Sequence, residues 1–223
     1  MANGQAVMAG ARSPVQANYA GTGPAAKANY SQQQNMIMEA FRAEEYIKDQ
    51  MDVQAEPFWD TVQVATGGVI TQNTTTAIFF RNIQNKPLNL TNMTESSQLP
   101  NPEALAIFAY RYQIDPRNSL LDVENVMAGF AFVFYMGRKA YQTIPLWQIP
   151  QGGGIDIQGC CTGCVLHNGR PTKEAIRPIA ITFILEQGVN FWSDMAGNPY
   201  TVTSAFGYTS QVNLDGLHAR GIQ

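Results

Sequence analysis

AIFFRNIQNKPLNLTNMTESSQLPNPEALAIFAYRYQI, residues 77–114, decides the fold. Two apolar segments flank a polar connection that carries Pro87, Pro100 and Pro102 together with several Asn and Thr. In the second segment, residues 104–114, Phe108, Tyr110, Tyr112 and Ile114 recur at every second position, the period of a strand with one face buried. Asn, Thr and Pro are turn formers because they supply local side-chain acceptors or a fixed φ. The stretch therefore reads as strand, turns, strand, and it contains no nucleophile–base arrangement.

The same pattern extends outward. From Glu56 on, candidate strands fall at residues 58–66, 68–72, 75–83, 88–93, 104–114, 128–136, 140–148, 155–158, 177–186, 189–192, 200–208 and 211–214. Each is rich in β-branched or aromatic residues and is bounded by Gly, Pro or Asn. Residues 118–127 read as a short helix inside a loop. Many short strands with turn-rich joints predict a sandwich or barrel.

The N-terminal part is different. Residues 1–30 are mostly Ala, Gly, Asn and Gln, with Arg12 and Lys27 as their basic residues. Such a segment cannot form a core alone, so it is either a disordered tail or an arm that orders against a neighbouring subunit. A helix is predicted from Ser31 to about Met51, started by a Ser31–Gln34 capping box. Ile37, Ala40, Phe41, Ile47 and Met51 fall within about 120° of arc, with Arg42, Glu45, Lys48 and Asp49 mostly off that face. Phe41, Ile47 and Met51 are thus candidate interface residues. The expected organisation is an arm at 1–30, a helical unit at 31–55 and a β-sandwich at 56–223.

Composition narrows the function classes. Of 223 residues, 45% are apolar but only 14% charged, a mixture suited to a surface covered by neighbours, where isolated charges are costly to desolvate. The formal net charge of −3 supplies no field for holding nucleic acid. The N-terminus lacks an apolar signal core, and the run at 127–136 is about half the ~20 residues of a membrane helix, so a soluble chain is expected.

Candidate chemistry centres on GCCTGCVLH, residues 159–167. Cys160, Cys161, Cys164 and His167 are suitable zinc ligands, but structural zinc sites usually join two separated ligand pairs, and no second pair exists here. Reduced thiols in a loop are the favoured reading, with a disulfide and a metal site as alternatives. Two histidines are too few for a cupin-type metal centre, and no nucleophile elbow or phosphate loop is present. No catalytic residue and no cofactor is assigned. Trp59, Trp147 and Trp192 lack interleaved Lys or Arg and are expected to serve core and interface packing.

Residues 90–114 (LTNMTESSQLPNPEALAIFAYRYQI), 177–192 (RPIAITFILEQGVNFW) and 212–223 (VNLDGLHARGIQ) together resemble segments of the capsid proteins of tailless icosahedral bacteriophages. The quoted segments make up 53 of the 223 residues. It implies a mainly β fold, a single jelly-roll β-sandwich with an N-terminal extended arm and one amphipathic helix. About 171 residues remain after the arm and helix, enough for one eight-stranded roll and too few for two. The implied function is a virion structural protein, a capsid subunit that self-assembles into an icosahedral shell. Its partners would be copies of itself and other capsid proteins, with an underlying viral membrane left open. It would be made in the host cytoplasm and reside in the virion. Loops at 116–126 and 159–172 are the expected inter-subunit contacts. A carbohydrate- or ligand-binding sandwich is the alternative, and a cupin-like enzyme a remote one.

Overall fold

The computed structural model describes residues 51–149, 156–158, 165–167 and 177–221. In chain order these form β1 (Met51–Ala55), β2 (Phe58–Val64), β3 (Val69–Ile70), β4 (Ile78–Phe79), β5 (Ala104–Ile114), helix α1 (Leu120–Gly129), β6 (Phe130–Met136) and β7 (Lys139–Pro145). After a 3-10 turn at Leu146–Gln148 come β8 (Asp156–Gln158), β9 (Val165–His167), β10 (Arg177–Glu186), β11 (Phe191–Gly197), β12 (Tyr200–Thr201) and β13 (Tyr208–Gly221). The described chain is mainly β and its sheets are antiparallel, as the turn-punctuated pattern requires.

Two sheets dominate. The first runs β1–β13–β5–β10, and β2 joins β1 along the same edge of the long β13. The second runs β4–β11–β6–β7. Their inner faces share one core. Tyr110 on β5 sits 5.0 Å from the Phe132 ring and 5.7 Å from that of Phe134, both on β6. Tyr112 reaches across to Met195 on β11, its hydroxyl 3.4 Å from the sulfur and 3.1 Å from the Tyr208 hydroxyl. All five of these aromatic side chains are fully buried. Each contributes roughly 2–3 kcal/mol through apolar burial, and the polar tips of Tyr112 and Tyr208 satisfy each other.

β5 and β10 match the expected strands to the residue. The expected face of β5 holds for Tyr110, Tyr112 and Ile114 but not for Phe108. A bulge lies between Asp215 and Gly216 of β13, where Asp215 pairs with Ala109 and Gly216 with Ile107. Phe108 is the extra residue, so the inward residues are Leu105 and Ile107 before the bulge and Tyr110, Tyr112 and Ile114 after it. Gly216 is required there, because a Cβ would lie 2.6 Å from the Ala106 carbonyl oxygen.

Other expectations need correction. Residues 51–55 are not helical; they form β1, with Met51 opposite Gly221. The ladder to β13 outweighs the helical spacing, because it satisfies the backbone along the full strand. Residues 88–93 form a turn at 88–90 and an isolated bridge from Thr91 to Asp60, not a strand. Trp59 N–H donates to Asn92 Oδ1 at 2.8 Å, Asn92 Nδ2 donates to the Pro57 carbonyl at 2.9 Å, and Thr91 Oγ1 donates to the Trp59 carbonyl at 3.0 Å. Side-chain amides and hydroxyls thus cover the outer edge of β2 without a regular strand. The strand expected at 75–83 shrinks to β4, that at 200–208 to β12, and that at 211–214 lengthens into β13. β9 lies inside the stretch expected to be loop and pairs with β8.

Candidate functional site

The loops at one end of the sandwich are held by a single carboxylate. Helix α1 begins at Ser119, whose side chain accepts the Asp122 N–H at 3.1 Å. That cap places Asp122 in the first turn, where an anion is favoured. Its Oδ1 accepts from the Tyr200 hydroxyl at 2.7 Å, Thr203 N–H at 3.0 Å and Thr203 Oγ1 at 2.7 Å. Oδ2 accepts from Ser204 N–H at 2.8 Å. Burial pushes its pKa up, but the bonds from Tyr200 and Thr203 outweigh this and bring it down to about 2. The 200–207 segment is tied in turn to residues 66–70. Gly67 N–H donates to the Val202 carbonyl, Thr66 Oγ1 to the Ser204 carbonyl, and β3 pairs with β12.

Each of these three tied segments carries an exposed large apolar side chain: Val69 is 41% exposed, Leu121 58% and Phe206 81%. Phe206 is not a frayed tip. Its N–H donates to Ser204 Oγ at 3.2 Å, and Ser204 is itself held by Asp122. Apolar groups presented on well-anchored loops are suited to docking, since little ordering entropy remains to be lost.

Three further polar clusters pin strands and loops. Asp60, on the inner face of β2, accepts from Lys86 Nζ and Phe80 N–H, each at 2.7 Å, and Lys86 also donates to the Thr61 carbonyl. Burial nevertheless raises the Asp60 pKa above its ordinary value. On the outer face of the first sheet, Arg111 grips Asp215 through two bonds of 2.7 and 2.6 Å. His218 lies between two carboxylates, with Nδ1 3.3 Å from Glu56 and Nε2 3.0 Å from Glu103. A ring carrying two N–H groups donates to both; a ring carrying one donates to a single partner.

Asp194 differs from these. It is fully buried on the outer side of β11; Oδ2 accepts Asn73 N–H at 3.0 Å, while Oδ1 has no hydrogen-bond partner. Burial raises its pKa to about 6, and the bonds from Asn73 and Met195 only partly offset it. The folded state therefore binds this proton more tightly than the unfolded chain, and stability rises as pH falls from about 6 towards 4. Asp194→Asn is expected to flatten that part of the pH–stability curve and to gain about 1–2 kcal/mol at pH 8. Urea unfolding at pH 4, 6 and 8 checks it; parallel curves for variant and parent would refute it.

Of the three tryptophans, Trp192 stacks on Tyr135 at 5.1 Å with the Arg81 guanidinium 5.6 Å from its ring centre, and Trp59 is half-buried. Trp147 is not a core residue, being 64% exposed. Cys160, Cys161 and Cys164 lie outside the described residues, as do Phe41 and Ile47. His167 is placed on β9 opposite Asp156, and Met51 begins β1. Among the described residues no group of three or more His, Cys, Asp or Glu is arranged to hold a metal, and no helix is long and apolar enough to cross a membrane.

Sequence reasoning missed Asp122, Phe206 and His218. The Ser119–Asp122 spacing was a legible cap, but nothing local links Asp122 to Tyr200, Thr203 and Ser204. Comparison with protein-family models, curated proteins and solved structures finds no significant match.

Proposed function

We propose that this chain is a virion structural protein, a capsid subunit built on a single jelly roll that assembles with copies of itself and other capsid proteins. Counting β1 with β2, the eight sandwich strands in chain order are β2, β4, β5, β6, β7, β10, β11 and β13. The first sheet then takes the first, eighth, third and sixth of these, and the second takes the second, seventh, fourth and fifth. That interleaving, in which the closing strand returns beside the opening one, supports a jelly-roll reading. The N-terminal arm at 1–30 contacts neighbouring subunits in this proposal, and the shell resides in the virion after synthesis in the host cytoplasm.

The observation that carries the function is the sandwich end where Val69, Leu121 and Phe206 stand exposed on anchored loops. The buried carboxylates Asp60 and Asp122 spend their oxygens on backbone and side-chain donors that hold loops in place. Low overall charge agrees with extensive subunit contact.

The experiment is particle sizing of the purified chain by light scattering and electron microscopy. Closed particles, or small oligomers that associate further, are expected for the parent. Phe206→Asp with Leu121→Asp is expected to reduce assembly at least tenfold while circular dichroism stays unchanged. A parent that remains a stable monomer overturns the reading. The exposed Trp147 favours the competing reading, a carbohydrate-binding sandwich. In that case a monomer would bind glycans, and Trp147→Ala would abolish the binding.

A further inference from the structure

The outer face of the first sheet changes character along its length. Towards the loop end its outward rows are polar: Gln113, Gln211 and Thr61 align across β5, β13 and β2, followed by Arg111, Asn213 and Trp59. Beyond the bulge at Gly216 the outward rows become apolar. Val53, Ala219 and Ala104 lie in one, which ends at Glu186 on β10, and Leu217, Ala106 and Ile184 lie in the next.

Three of the six are alanines, so the face is flat, and a second element can approach the backbone closely. Ala106 and Ala219 are fully buried and Leu217 is 6% exposed. The second sheet lies against the opposite face, and the described helix α1 packs on the 3-10 turn and β6. A leucine projecting from an uncovered sheet face would keep far more of its surface. The patch is built to be covered.

We propose that its cover is the segment at residues 31–50 of the same chain, seated by the apolar stripe of Ile37, Ala40, Phe41 and Ile47. The chain enters β1 at Met51, and Val53, two residues later, already belongs to the patch. The segment therefore starts at the edge of the surface it is assigned to. Its stripe spans about 120° of a helix, the width that lies against a flat sheet face, and leaves Arg42, Glu45 and Asp49 off that arc. Polar rows of Gln and Arg nearer the loop end would resist the same stripe, because their hydrogen-bonding groups would lose water without gaining partners. The proposal does not depend on the capsid reading.

Cysteine cross-linking in the full chain tests it. Cys160, Cys161 and Cys164 are replaced by Ser, and Ile184→Cys is combined in turn with Ile37→Cys, Phe41→Cys or Ile47→Cys on the stripe. The off-stripe partners are Arg42→Cys, Glu45→Cys and Asp49→Cys. Mild oxidation followed by peptide mapping is expected to give an intrachain disulfide for at least one stripe position, at least tenfold above every off-stripe position. Leu217→Cys serves as a second anchor should Ile184→Cys impair folding. Disulfides between chains would place a second copy's segment on the patch and overturn the assignment. Equal yields from both sets, or no disulfide from either anchor in variants with parental circular dichroism, would overturn it too. Cross-linking in a chain that never forms particles would sink the capsid proposal alone.

Discussion

Asp122→Ala is expected to lower the unfolding free energy by about 3–5 kcal/mol, because it strands several donors that now share one buried carboxylate. The Thr203 and Ser204 N–H groups and the Tyr200 hydroxyl would lose their acceptor together. Asp122→Asn keeps one acceptor oxygen and is expected to cost less, about 1–3 kcal/mol. The damage should be local before it is global. Amide exchange at residues 200–207 should accelerate more than at the core strand β5, since the carboxylate ties that segment to helix α1.

The pH dependence follows from the same geometry. The Asp122 pKa is about 2 in the folded protein, below its ordinary 3.8, so the folded state favours the ionised form. Its contribution is present above pH 4 and is lost as pH falls from about 4 to about 2, a difference of about 2 kcal/mol. The parent should weaken across that window and Asp122→Ala should not. Urea titrations at pH 2.5, 4 and 7 measure both quantities. A parent and variant that lose stability in parallel below pH 4 would show that the carboxylate is not the staple described.

Lys86→Ala is the second large effect, also about 3–5 kcal/mol, because it leaves Asp60 buried without its countercharge. Asp60 is fully buried and lies 2.7 Å from Lys86 Nζ, which is itself mostly covered. The pair also holds an unusual backbone. Phe80 has a φ of 67°, a region a bulky residue seldom enters, and its N–H donates to Asp60 while its carbonyl accepts from Ser97. Burial already raises the Asp60 pKa, and removing Lys86 raises it further. Lys86→Ala should therefore recover part of its loss as pH is lowered, when proton uptake neutralises Asp60 in the folded state. A double variant, Asp60→Asn with Lys86→Met, keeps an acceptor for Phe80 and should be more stable than Lys86→Ala alone. A single variant with a loss under 1 kcal/mol and no recovery at low pH would refute the argument.

These two carboxylates mark the limit of what was legible. The core residues Tyr110, Tyr112 and Ile114 could be read from period-two spacing, because which face of a strand is buried is a local property of the chain. Phe108 could not, since its displacement depends on Gly216, more than a hundred residues away. The 88–93 stretch looked like a strand because Leu and Thr suit one. Its backbone is instead held by bonds to β2 made mostly by Asn92 and Thr91. Met51 fitted a helical stripe and belongs to a strand, since an antiparallel partner in β13 was available.

The sequence by itself determined the class of structure: many short strands, the bounds of β5 and β10, a helix near residue 120, and few charges. Each follows from propensity, period and composition over a dozen residues or fewer, and that information is local. Only the tertiary structure decided which strands are neighbours, where the bulge resets the inward face, and which carboxylates hold the loops. It also placed Val69, Leu121 and Phe206 together at one end. Those facts depend on residues far apart in the chain, which meet only after two sheets have buried a common core. The stretch at 77–114 carries the strand pattern of the β class, and Asp122 with residues 66–70 and 200–207 assembles the surface on which the proposed function rests.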